Sequence, residues 1–153
     1  MITNTELEYK GDLYPSKIVS FKQEVDSVYF HTDNSVILKL TVLRDSLIRF
    51  RYTTKGYFSN DFSYAIDKSH SHGYNFLEVT EATEYYQVKT SKVLCRIQKI
   101  DLRVSIYDLS ENVLLEDELG FHWEESYEYG GNIVKMSKAS KDGECFYGLG
   151  DKA

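Results

Sequence analysis

Apolar and polar residues alternate with a period of two along most of the chain. In Val36-Ile37-Leu38-Lys39-Leu40-Thr41-Val42, the side chains of Val36, Leu38, Leu40 and Val42 share one face. Ile48, Phe50 and Tyr52 alternate with Leu47, Arg49 and Arg51, and Leu102, Val104 and Ile106 alternate with Arg103, Ser105 and Tyr107. Successive side chains of a strand point to opposite faces, so this text predicts strands with one face turned to a core. Further strands are predicted at 17–22, 26–32, 62–66, 76–80, 84–90, 93–98, 121–127, 132–137 and 145–149. The helical period of about 3.6 residues is hard to find anywhere. The segment 111–119, ENVLLEDEL, fits one helical turn or a short strand after a turn.

Turn chemistry falls between these runs. Asp33-Asn34 has hairpin spacing, and Thr54-Lys55-Gly56, Lys99-Ile100-Asp101, Ser110-Glu111-Asn112 and Gly130-Gly131-Asn132 mark other reversals. Residues 55–75 form the longest irregular stretch, with room for a short strand inside. The single proline, Pro15, precedes the first strand, where a missing N–H is tolerated. Many short strands separated by turns predict an all-β fold, an antiparallel sandwich or barrel.

Composition sharpens this. A length of 153 residues fits one domain. Hydrophobic residues at 42% and aromatics at 14% are too plentiful for a disordered chain. The aromatics are mostly tyrosine, 13 against one tryptophan, which suits half-buried sheet surfaces and also contact with sugar or protein. A net charge of −6 without a basic run argues against nucleic acid and against anionic membrane surfaces. No apolar stretch reaches the ~18 residues of a membrane span. The opening text, MITNTELEYKGDLY, lacks the layout of a signal peptide, so a cytoplasmic protein is expected. Two cysteines are too few for a disulfide framework or a cysteine-built zinc site. Cys95, alternating with Val93 and Ile97, and Cys145, before an aromatic stretch, both read as small buried hydrophobes.

Candidate chemistry is sparse. His70 and His72 would share a strand face and could hold zinc, but no third ligand follows at a convincing spacing, and His31 and His122 are isolated. The acidic runs Glu116-Asp117-Glu118 and Glu124-Glu125 read as a hydrated rim, because neighbours in a strand face opposite ways and do not make a catalytic pair. No nucleophile elbow occurs, and Cys145 has no base beside it in sequence. Gly148-Leu149-Gly150 lacks the remaining residues of a phosphate loop. Phe121, Trp123 and Tyr127 alternate on one side of a strand; the stripe reads first as core and second as a sugar-stacking platform beside His122 and Glu124. No metal or cofactor is expected.

The end of the chain is the most distinctive part. Phe146, Tyr147 and Leu149 are core-type residues punctuated by Gly148 and Gly150, whereas termini are usually polar and frayed, so more polypeptide is expected to follow. Phe146-Tyr147-Gly148-Leu149-Gly150-Asp151 resembles the F-Y-G-L-G-[ED] segment of glycoside hydrolase family 31, the α-glucosidases and α-xylosidases. Leu47-Ile48-Arg49-Phe50-Arg51-Tyr52, Val88-Lys89-Thr90-Ser91-Lys92-Val93 and Leu102-Arg103-Val104-Ser105-Ile106-Tyr107-Asp108 are similar to the strands that precede that segment in the family. The likeness runs roughly from Val36 to Asp151. It implies an antiparallel β-sandwich of galactose-mutarotase-like type, residues 1–153 forming one domain at the N-terminal side of a (β/α)8 catalytic barrel.

The resemblance also implies a division of labour. The family's nucleophile and acid/base are barrel aspartates without counterparts here, so no catalytic or substrate-binding residue carries over. Phe146, Tyr147, Gly148, Leu149, Gly150 and Asp151 are then structural residues of a domain junction. The implied role is that of an accessory domain of an α-glucosidase-like enzyme. It would pack on the barrel, help wall a pocket for an α-linked oligosaccharide or glycoside, and perform no catalysis alone. A bare docking face would favour self-association. Two alternatives stand beside this reading. An independent carbohydrate-binding module would need a coplanar row of exposed Tyr or Trp. A mutarotase-like isomerase would need converging His and carboxylate groups.

Overall fold

The computed structural model describes residues 11–61, 77–126, 128 and 130–145. Ten strands and no helix occur among them, arranged as two antiparallel sheets. The first sheet holds β1 (Ile18–Gln23), β2 (Ser27–Thr32), β3 (Ile37–Arg44) and β4 (Leu47–Thr53) in chain order. The second holds β5 (Glu78–Glu81), β6 (Tyr85–Lys89), β7 (Val93–Gln98), β8 (Val104–Asp108), β9 (Val113–Ser126) and β10 (Gly131–Lys138), also in order. Every neighbour is a hairpin partner, which follows from the short turns between alternating runs. The predicted strands at 62–66 and 145–149 fall wholly or mostly outside the described residues.

The period-two text decides which side chains meet. Opposite residues of an antiparallel pair lie on the same face. Leu38 faces Phe30 on one side and Tyr52 on the other, and Leu40 likewise faces Val28 and Phe50. In the second sheet Ile97 faces Tyr86 and Val104, and Cys95 faces Val88 and Ile106. These inward rows close into one core shared by both sheets. Phe30, fully buried, meets the Tyr86 ring across the sandwich at 5.4 Å, and Tyr52 lies flat on Phe121 at 4.4 Å and 8°. Each such side chain taken out of water contributes about 1.5–3 kcal/mol.

Two local differences from the sequence reading have clear causes. The strand expected from Leu102 begins at Val104, because Leu102 adopts φ 58°, closing the tight turn after β7, and is buried there. The stretch 111–119, open between a helical turn and a strand, is the start of β9, a 14-residue strand that continues through 121–126. Its first part pairs with β8 and its second with β10. Between them the register slips opposite Ser137 and Lys138, leaving Glu118 and Leu119 as a bulge closed by Gly120 at φ 68°. Beyond the bulge, Leu13 takes the edge that β8 has left: its N–H donates to the Trp123 carbonyl at 2.7 Å, and the Trp123 N–H donates back at 3.0 Å.

Candidate functional site

The bulge gathers the best-built polar cluster of the described residues. Asp117 lies within the acidic run expected as a hydrated rim; Glu116 and Glu118 are exposed, but Asp117 is only 5% exposed. Its Oδ2 accepts the Val104 N–H at 2.9 Å, and its Oδ1 accepts a short hydrogen bond from Lys138 Nζ. Gly120 makes room for it: a Cβ there would sit 2.9 Å from Asp117 Oδ2. The buried Tyr52 hydroxyl has its pKa raised, first by burial and then by the negative charge of Asp117. This is a structural pin, since both carboxylate oxygens are engaged by the protein itself.

The N-terminal arm is tied to the same strand. Lys135 on β10 donates to Asp12 Oδ1 at 2.6 Å and to Glu124 Oε2 at 3.0 Å. Those two hydrogen bonds raise the lysine pKa, Asp12 more than Glu124, and the Lys135 bond lowers that of Asp12. His122, isolated in sequence, is buried; its Nδ1 lies 3.0 Å from the Gly120 carbonyl, and its ring stacks on Tyr14 at 5.3 Å. Phe121 and Trp123 are core, as the first reading of that stripe expected. Tyr127, His70 and His72 lie outside the described residues, as does the junction motif Phe146 to Asp151.

Cys95 is buried as expected, and burial pushes its thiol up to about 12. Cys145 is not buried: it follows a turn in which the Glu144 N–H donates to the Lys141 carbonyl at 3.1 Å, and its side chain is exposed. The apolar residues after it misled the reading, while Asp142-Gly143 before it was the turn signal. At pH 8 a thiol reagent should therefore label Cys145 quickly in the native protein and Cys95 only after unfolding, which counting labelled thiols by mass spectrometry checks.

Acid should weaken the fold in a predictable direction. Hydrogen bonds from Lys135, Lys22, Arg49 and Lys99 hold the carboxyls of Asp12, Glu24, Asp61 and Glu81, respectively, below their usual values. A carboxyl with a depressed native pKa stabilises the fold above its unfolded pKa and loses that contribution as pH falls through the native one. Urea midpoints should thus hold between pH 7 and 5 and drop below about pH 4.

The one cleft of note among the described residues opens where β4 runs into the 54–59 loop, opposite the β9–β10 reversal. It encloses about 410 Å³, and Tyr52, Thr54, Tyr57, Phe121, Asn132 and Val134 are among its lining residues. Asn132 Nδ2 donates to Thr54 Oγ1 at 2.9 Å, tying the two sheets together at its floor. Two lining residues are basic, Arg51 and Lys55, and none is acidic. Glycoside hydrolysis by two carboxylates has no pair to use there. The exposed aromatics Tyr14, Phe21 and Tyr57 stand on the arm, on β1 and on a loop, so the described residues present no coplanar stacking row. His31 and His122 lie on different sheets, and neither lines the cleft.

Two facing antiparallel sheets with this hairpin order, a shared aromatic core and an open, carboxylate-free cleft define a galactose-mutarotase-like β-sandwich. Residues 37–153 match the model of the glycosyl hydrolase 31 N-terminal galactose mutarotase-like domain, and the chain belongs to that family. Comparison with curated protein sequences gives no match. Among solved structures, an α-xylosidase of family 31 from Xanthomonas citri is similar over 79% of this chain and 14% of its own, at 22% identity and TM-score 0.65. A family 31 dextranase from Flavobacterium johnsoniae, solved with isomaltotriose, is similar over 73% of this chain and 15% of its own, at 17% identity and TM-score 0.63. A cycloalternan-forming enzyme from Listeria monocytogenes is similar over 74% of this chain and 11% of its own, at 17% identity and TM-score 0.60. These likenesses concern the fold, and the chain spans a small fraction of each enzyme.

Proposed function

We propose that the chain is the accessory N-terminal β-sandwich of a longer α-glucosidase-type glycoside hydrolase. Its sheets and loops flank a catalytic (β/α)8 barrel and help shape the pocket for an α-linked saccharide. The observation that carries this is the family match over residues 37–153. The carboxylate-free cleft fits it, since the two acids of a retaining hydrolase would then lie elsewhere in the polypeptide. The product of the complete gene should hydrolyse one of a panel comprising p-nitrophenyl α-glucoside, p-nitrophenyl α-xyloside and isomaltotriose, whereas residues 1–153 alone should turn over none. Hydrolysis by the short chain, or none by the complete product, would overturn the reading.

A further inference from the structure

The two sheets differ in width, and β10 shows where the mismatch falls. Val134 lies opposite Trp123 and Met136 opposite Phe121, so all four side chains point to the same, inward side of the second sheet. Phe121 and Trp123 are each 8% exposed, yet Val134 is 65% and Met136 45% exposed. The reason is that Tyr52 of β4 lies over Phe121, and among the described residues no strand of the first sheet reaches past β4 to cover β10. Leu115, opposite the inward Ile106, adds a third apolar side chain on that side at 37% exposure. A core-facing surface in water is a docking surface, because singly exposed apolar residues need no explanation but a contiguous inward-facing set does.

We infer that the inward side of β10, with the adjoining cleft, receives an extended segment from the remainder of the parent polypeptide. That segment carries alternating apolar side chains toward Val134 and Met136 and acidic side chains at its flanks. The inference rests on the proposed function, since it needs a longer chain. Two observations select the occupant. The related enzymes are about seven to nine times longer than the stretch this chain matches, which supplies ample polypeptide. The ends of the surface are basic: Arg51 and Lys55 line the cleft at one end and Lys138 stands at the other, with Asp117 already neutralised by Lys138. Acidic flanks match that rim, and period-two apolar residues match a pleated surface.

The test uses the complete gene product with Cys145→Ser as background, carrying Val134→Cys or Met136→Cys, and Val25→Cys as reference. Val25, at 73% exposed in the β1–β2 turn, lies away from the surface. Labelling with iodoacetamide is followed on each engineered cysteine's own peptide by mass spectrometry. Cysteines at 134 and 136 should react at least about tenfold more slowly than that at 25, at every protein concentration. Equal rates at all three positions in a product that hydrolyses an α-glycoside would overturn this assignment alone. Protection that vanishes on dilution would overturn it in favour of a second copy of the chain. A complete gene that encodes no further domain would overturn both this assignment and the function on which it rests.

Discussion

Phe30→Ala is expected to lower the unfolding free energy by about 3–5 kcal/mol. The ring is fully buried on β2, faces Leu38 in its own sheet, and meets Tyr86 at 5.4 Å and Phe21 at 6.4 Å. Removing it deletes transfer free energy and leaves a hole between two sheets that cannot collapse, since both are held by continuous hydrogen-bonded ladders. Domains of this size have only about 5–15 kcal/mol to lose, so the variant should sit near its unfolding threshold at 37 °C. Urea denaturation followed by tryptophan fluorescence reads the change, Trp123 being the single tryptophan. A loss below about 1 kcal/mol would show that the sheets are not packed on one another at this point.

Asp117→Ala should cost about 2–4 kcal/mol, the largest effect expected of any polar substitution here. The change strands the Val104 N–H without its acceptor and removes the counter-charge of Lys138, although that lysine reaches solvent and can rehydrate. Asp117→Asn should cost less, about 1 kcal/mol, because the amide oxygen still accepts from Val104. Gly120→Ala should approach the alanine variant at 117. It places a side chain in the left-handed region and drives a Cβ against Asp117 Oδ2, 2.9 Å away. If all three variants unfold at the same urea concentration as the parent sequence, the cluster contributes nothing and the bulge is held by its ladders alone.

Faces were readable in the sequence, and long-range pairings were not. Val36, Leu38, Leu40 and Val42 are all fully buried, as their alternation demands. Asp117 was readable too, had the same rule been carried through the acidic run: it keeps the parity of Leu115, opposite the inward Ile106. Charge suggested solvent, but parity decided, and the exchange of water for Val104 and Lys138 makes the burial tolerable. Gly120 gave a further signal, since a glycine inside a strand marks a bulge. Nothing local announces that Leu13 pairs with Trp123, or that β10 extends beyond the opposite sheet, because both depend on where separate elements meet. The cleft is of the same kind: Thr54 and Asn132 meet across 78 residues of sequence.

The contact between Leu13 and Trp123 sets a clock for the newborn chain. Its two residues are 110 positions apart, so at synthesis rates of about 5–20 residues per second the arm emerges roughly 5–20 s before its partner strand exists. During that interval the first four strands can already form their meander at the ribosome surface, with Phe30 and Leu38 uncovered until the second sheet arrives. Translation speed across residues 77–126, and a chaperone able to shield that half-built sheet, therefore bear on yield more than any feature of the finished sandwich.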